Sequence, residues 1–199
     1  MQESKEFKNG FPRLLWILEF LDSYSLRQLT EAKMFELKPL SKEAIPAALQ
    51  RAERYRLLNE PAEAESICLD ILQIEPENQA ASITLLLALT DQFPEGEADA
   101  VVRAQEVLSC LNGEYERAYY SGIICERRAK AQLGHHMPGS LANAYDWLRE
   151  AMSWYEKAER LRPPGNDEAI LRWNTCARLL MRNPRLKPAE TERFEPFLE

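Results

Sequence analysis

The sequence predicts an all-α protein made of antiparallel helix hairpins set one after another. Three observations point there. Gly is scarce, at 7 of 199 residues, while Leu, Ala, Glu and Arg are abundant, and that bias favours helix. Apolar residues recur at spacings of three and four along several stretches, as an amphipathic helix requires. Two segments also end alike, Ile74-Glu75-Pro76-Glu77-Asn78 and Leu161-Arg162-Pro163-Pro164-Gly165-Asn166. In each, a helix runs into a proline turn and a new apolar helix follows. Proline suits that place because it stops one helix and opens the next. With 45% hydrophobic and 29% charged residues, the chain has an ordinary globular composition, enough for one domain or a short solenoid.

The elements follow in order. Residues 1–40 form an N-terminal segment with a strongly apolar helix over 11–21 and a weaker one over 25–37. These helices are expected either to cap the array or, through Trp16, Phe20 and Leu21, to dock or dimerise. The first hairpin spans about 42–77. Its first helix, with Ser41 as N-cap, carries the stripe Ala48, Ala52, Tyr55 and Leu58. A turn at Asn59-Glu60-Pro61 leads to a second helix over 62–74, striped by Ala64, Ile67, Cys68, Ile71 and Leu72.

The second hairpin, 78–113, has helices at about 78–90 (Leu85, Leu86 and Leu89 inward) and 97–111 (Ala100, Ala104, Val107 and Leu108 inward). Asn112-Gly113 is expected to close it as a C-cap. The third, 114–165, is long, with helices over 114–133 and 140–162. Each gains about two turns, roughly 10 Å at 1.5 Å per residue. A protruding hairpin is expected, its tip at residues 134–139. A single capping helix over 166–181, begun at Asn166-Asp167, carries Ile170, Leu171, Trp173, Cys176, Ala177 and Leu180. Residues 182–199, with three prolines, read as an extended tail.

On these residues the chain resembles the tetratricopeptide repeat family. That family's motif of about 34 residues places a small residue midway along the first helix, an aromatic after it, and small then bulky residues before a proline. Ala52, Tyr55, Ala64, Cys68, Ile71 and Pro76 match it, as do Gly122, Ala151, Tyr155, Ala158 and Pro163. The resemblance covers roughly residues 42–181 in degenerate repeats. Ala48 replaces the family's first aromatic anchor, and 29 residues separate Gly122 from Ala151 where the motif leaves about a dozen. The resemblance implies a right-handed superhelix of antiparallel hairpins with N-terminal capping helices and a C-terminal capping helix. Its concave face would bind a peptide or amphipathic helix.

Transferred position by position, that groove is Leu49, Glu53 and Arg56, then Ile83, Leu87 and Thr90, then Tyr119, Ile123, Glu126 and Arg127, and finally Ile170 and Asn174. Leu49 and Glu53 stand where chaperone-binding members carry a carboxylate clamp, so that clamp is missing. The groove is expected to take an apolar or amphipathic partner, or else the chain's own termini.

The residues give little sign of catalysis. The only two histidines, His135 and His136, are adjacent at the hairpin tip, an exposed place where a base is hard to orient. Neither a P-loop nor a dinucleotide fingerprint is present. Adjacent histidines with Met137 make a poor tetrahedral metal site, and Asp91, Glu95, Glu97 and Asp99 lack the register of a calcium loop, reading as a solvated turn. Trp147, Trp154, Tyr155 and Trp173 read as core or inter-hairpin rings.

The net charge of −7 and the lack of a basic face argue against nucleic acid. The longest apolar run is too short to cross a bilayer. Cys68, Cys110, Cys125 and Cys176 form no CxxC pair and read as buried free thiols in a reducing compartment, so a cytoplasmic protein is expected. The expectation is a non-catalytic scaffold or adaptor that binds an unidentified protein or peptide without a cofactor. A self-associating structural module, forming a homodimer through the N-terminal helix or the long hairpin, is the alternative. A metal-dependent enzyme using His135 and His136 is the weakest reading.

Overall fold

A computed structural model describes residues 36–95, 98–134 and 138–188. Those residues form an all-α protein of seven α-helices: α1 (Ile45–Leu57), α2 (Pro61–Ile74), α3 (Gln79–Asp91), α4 (Ala98–Ser109), α5 (Glu114–Gly134), α6 (Ser140–Leu161) and α7 (Glu168–Arg182). Short 3-10 turns at Lys42–Ala44 and Phe93–Glu95 precede α1 and follow α3. The apolar 11–21 segment, Glu97, the tip residues His135 to Met137 and the tail from 189 lie outside the described residues. So does the helix expected over 25–37, save residues 36 and 37, which are not helical.

Local chemistry sets the helix ends. α1 closes on Asn59, whose φ of 61° puts it in the left-handed region. The Asn59 amide donates to the Arg56 carbonyl (3.0 Å) and the Glu60 amide to the Tyr55 carbonyl (2.9 Å). This paired closure satisfies carbonyls that would otherwise be orphaned, and Pro61 then opens α2. Asn78 caps α3, its side chain accepting from the Ala81 amide at 3.0 Å. Pro76 and Pro163 each follow directly on a helix C-cap, at Glu75 and Arg162. After Pro163 the corner is Pro164-Gly165, and Gly165 takes the positive φ of 82° that a tight turn needs there.

Some expected caps are placed differently. Ser41 precedes the 3-10 turn, not α1, and its side chain makes no cap bond. Asn112-Gly113 does not close α4. The Gly113 carbonyl accepts from the Arg117 amide at 3.0 Å, so Gly113 opens α5. A Cβ there would land on the Glu116 carboxylate. At α7 the cap is made by Asn166, whose Oδ1 accepts from the Glu168 amide (3.0 Å) and from the Tyr115 hydroxyl (3.1 Å).

Each helix packs on the next, and α1 also packs on α3 and α3 on α5. The second helices α2, α4 and α6 make no comparable contact with one another. Two cores result. One joins α1 to α4 around Ala52, Cys68, Ile71, Leu86 and Leu89 and also takes Ile124 and Ala131 from α5; the other joins α5 to α7 around Ile123, Leu148, Ala151, Tyr155 and Cys176. Leu87 and Tyr120 pack against both.

The expected stripes are largely inward. Leu58 is an exception, 63% exposed beyond the end of α1, and so is Leu171, 63% exposed on α7, where Ala169 and Cys176 carry the buried phase. α5 and α6, at 21 and 22 residues, have the greater length expected of them, against 12 to 14 for the four helices before. The turn Phe93–Glu95 packs against α5. The tail is not wholly extended, for Leu186 is buried in the second core.

Candidate functional site

The first helices form a row, α1 beside α3 beside α5, and this row positions the expected groove. Asp91, the last residue of α3, ties it together. Its carboxylate accepts from Arg56 Nε at 2.9 Å and pairs with Arg56 Nη2 at 2.8 Å and Arg127 Nη2 at 3.1 Å. Two expected groove residues, from α1 and α5, thus meet on one carboxylate. The expectation that Asp91 belongs to a solvated turn is corrected: its side chain is 16% exposed because the row closes around it.

Glu53 is exposed, while Leu49, Arg56, Ile83, Leu87, Arg127, Ile170 and Asn174 are half-buried. Thr90, Tyr119, Ile123 and Glu126 are buried and offer no partner-facing surface, which corrects their assignment to the groove. The Thr90 hydroxyl donates to its own helix at Leu87 O (2.8 Å). Tyr119 and Ile123 are covered because α6 and α7 pack over α5 in the second core.

Glu126 is the centre of a buried network. It is 1% exposed and accepts from Tyr155 Oη (2.7 Å), Lys130 Nζ (2.5 Å) and Arg172 Nη1 (3.3 Å). One carboxylate therefore joins α5, α6 and α7. Burial pushes its carboxyl up, but the hydrogen bonds from Lys130 and Tyr155 and the charges of Lys130 and Arg172 outweigh that. The group is held below its ordinary value. Glu65 plays the matching part in the first core, accepting from Gln92 Nε2 at 2.7 Å and pairing with Arg103. Neither role was expected from the sequence. The available signal was position: Glu65 stands three residues before Cys68, and Glu126 three after Ile123, both on inward phases of their helices.

On the second-helix side, α4 and α6 stand apart over the first half of α5 and leave a cleft of about 370 Å³. Leu108 and Gln105 line it from α4, Arg117 and Ser121 from α5, and Trp154 and Lys157 from α6. The Lys157 ammonium lies 5.1 Å from the Trp154 ring centre. Trp147 is half-buried beneath Arg128, at 3.6 Å, and Trp173 Nε1 donates to Glu156 at 3.0 Å. These rings face charged or polar partners at the edges of the core; Tyr155 alone of the four is fully inside.

Burial pushes the thiols of Cys68, Cys125 and Cys176 up to about 12, so they stay protonated at neutral pH. Cys110 is half-buried. Among the described residues, no group of His, Cys, Asp and Glu side chains is arranged to hold a metal ion. No described helix is long and apolar enough to cross a membrane. Comparison with protein-family models, with curated proteins and with solved structures gives no match.

Proposed function

We propose that the chain is a non-catalytic interaction scaffold that holds a peptide or amphipathic helix along its row of first helices. The observation that carries this reading is the α1–α3–α5 row itself, with second helices that make no comparable contact. Helices in contact on one side and apart on the other curve the array toward the contacting side. That curvature supports the tetratricopeptide-like superhelix, with the first helices on its concave face. The face offers half-buried Leu49, Ile83 and Leu87 for apolar side chains, with exposed Glu53 and the Arg56–Asp91–Arg127 bridge at its charged margin. An amphipathic segment of mixed charge fits that pattern better than an acidic tail.

The test compares partners captured from native lysate by the wild type and by a Glu53→Lys, Leu87→Glu variant, both verified as folded by circular dichroism. Loss of a specific partner from the variant is expected. Equal recovery from both proteins overturns the groove. The cleft beside Trp154 favours a second reading, the same scaffold role on the second-helix side. It predicts that a Trp154→Ala, Lys157→Glu variant, and not the groove variant, loses the partner.

A further inference from the structure

The cleft between α4 and α6 holds a guanidinium that no carboxylate meets. Arg117 is half-buried and lines the cleft from α5. Its Nη1 is fixed by the carbonyls of Leu111 (2.6 Å) and Asn112 (3.1 Å), just before that helix. Among the described residues no ion pair reaches it. Every other described arginine that is not exposed is in an ion pair, except Arg128, which lies over Trp147. A guanidinium partly out of water without a counter-charge is a place where an anion binds with advantage.

Lys157 is the second cation of the same cleft, exposed beside the Trp154 ring. Glu114 is the one acid of the lining; it is exposed and pairs with neither cation. The lining is therefore net positive, in a chain of formal charge −7. Its apolar part comes from Leu108, Ala118 and Trp154, one from each helix. At about 370 Å³ the cleft has the size of a small-ligand site. One turn of α-helix, about 10 Å across and 5.4 Å long, already fills about 420 Å³. A small molecule or a single side chain suits the cleft better than a helix does. We infer that this cleft binds an organic carboxylate with an apolar body. The carboxylate sits on Arg117 and Lys157, and the body lies between Leu108 and Trp154. A free acid and the C-terminal residue of a polypeptide both supply that chemistry. The inference rests on the second-helix cleft, whose ligand it names, and not on the groove.

The test titrates phenylacetate into the ¹⁵N-labelled full chain and follows the Trp154 indole N–H signal, assigned with Trp154→Phe. Saturable shifts are expected at Trp154 and Ser121. Phenylacetamide keeps the ring and loses the charge, and should bind about ten-fold more weakly or worse. Lys157→Gln changes an exposed residue and should weaken binding of the acid roughly three-fold. Arg117→Gln should weaken it about ten-fold or more. Because Arg117 also holds the carbonyls before α5, unchanged signals from α5 and α6 are required of that variant, and Lys157→Gln carries the test if they move. N-acetyl-diglycyl-phenylalanine, set beside phenylacetate, identifies the source: tighter binding of the peptide acid means a chain end, and tighter binding of phenylacetate means a free acid. Equal binding of acid and amide overturns the inference. So does a titration that moves Leu49 and Leu87 but not Trp154, and so does wild-type affinity in Lys157→Gln and Arg117→Gln together. The lysate captures read the groove separately, since the groove variant leaves this cleft unchanged.

Discussion

Glu126 is a carboxylate in a place where a charge survives only through its partners. It keeps that charge because Tyr155, Lys130 and Arg172 converge on it from three helices. Its folded pKa lies below the unfolded value, so its stabilising contribution is present above the unfolded value and is lost as pH falls through the folded one. Glu126→Gln is expected to cost about 2 kcal/mol at pH 7, since Lys130 and Arg172 retain some access to water. The difference between wild type and variant should shrink as the pH drops below about 4. Urea midpoints measured from pH 7 down to pH 3 check both the size and the sign; a pH-independent difference would show that the charge contributes nothing. The cysteines give a second prediction at this scale. A small alkylating reagent should label Cys110 first in the native protein, with Cys68, Cys125 and Cys176 labelled only on unfolding. Peptide mapping of alkylated protein reads the order.

Between elements, α5 and α6 approach closely at Gly122. A Cβ there would lie 2.4 Å from Cε1 of the Tyr155 ring, too close for both to keep their places. The ring is held at its hydroxyl by Glu126, so it has little freedom to yield. Gly→Ala within a helix ordinarily gains up to about 1 kcal/mol. Overpacking against a fixed ring costs about 1–3 kcal/mol and wins here. Gly122→Ala is therefore expected to lower the denaturant midpoint, and adding Tyr155→Leu should recover part of the loss. The small residue was legible in the sequence as a motif position, and so was the greater length of both helices. The ring that makes the glycine necessary was 33 residues away and became a contact only when the hairpin closed. The caps were less legible. Asn59, Asn78 and Asn166 stand at turns that the sequence marks, but Gly113, expected to close the second hairpin, instead opens α5.

Across the whole molecule, stability is expected to vary along the array, because among the helices only α5 gives buried residues to both cores, Ile124 and Ala131 to the first and Ile123 and Cys125 to the second. Leu186 illustrates it. Although it lies beyond the last helix, it is 6% exposed in the second core. Leu186→Ala is expected to cost about 2–3 kcal/mol and to act on one end of the array. Hydrogen exchange should quicken in α7 and leave α1 unchanged; a uniform rise would show one cooperative unit instead.

The sequence by itself determined the all-α class, the seven helices of the described residues to within a few residues, and the long third hairpin. Helix formation, apolar phase and proline turns are properties of neighbours along the chain, so they are visible in any short window. The tertiary structure decided which side chains remained at the surface. Thr90, Tyr119, Ile123 and Glu126 share a helical phase with groove positions, yet they are buried. Asp91, in a stretch that read as a solvated turn, is the anchor of two arginines. Burial and ion pairing are set by what packs over a residue, and those partners come from far along the chain: 35 residues for Arg56 and Asp91, 38 for Glu65 and Arg103. No local window contains both members of such a pair.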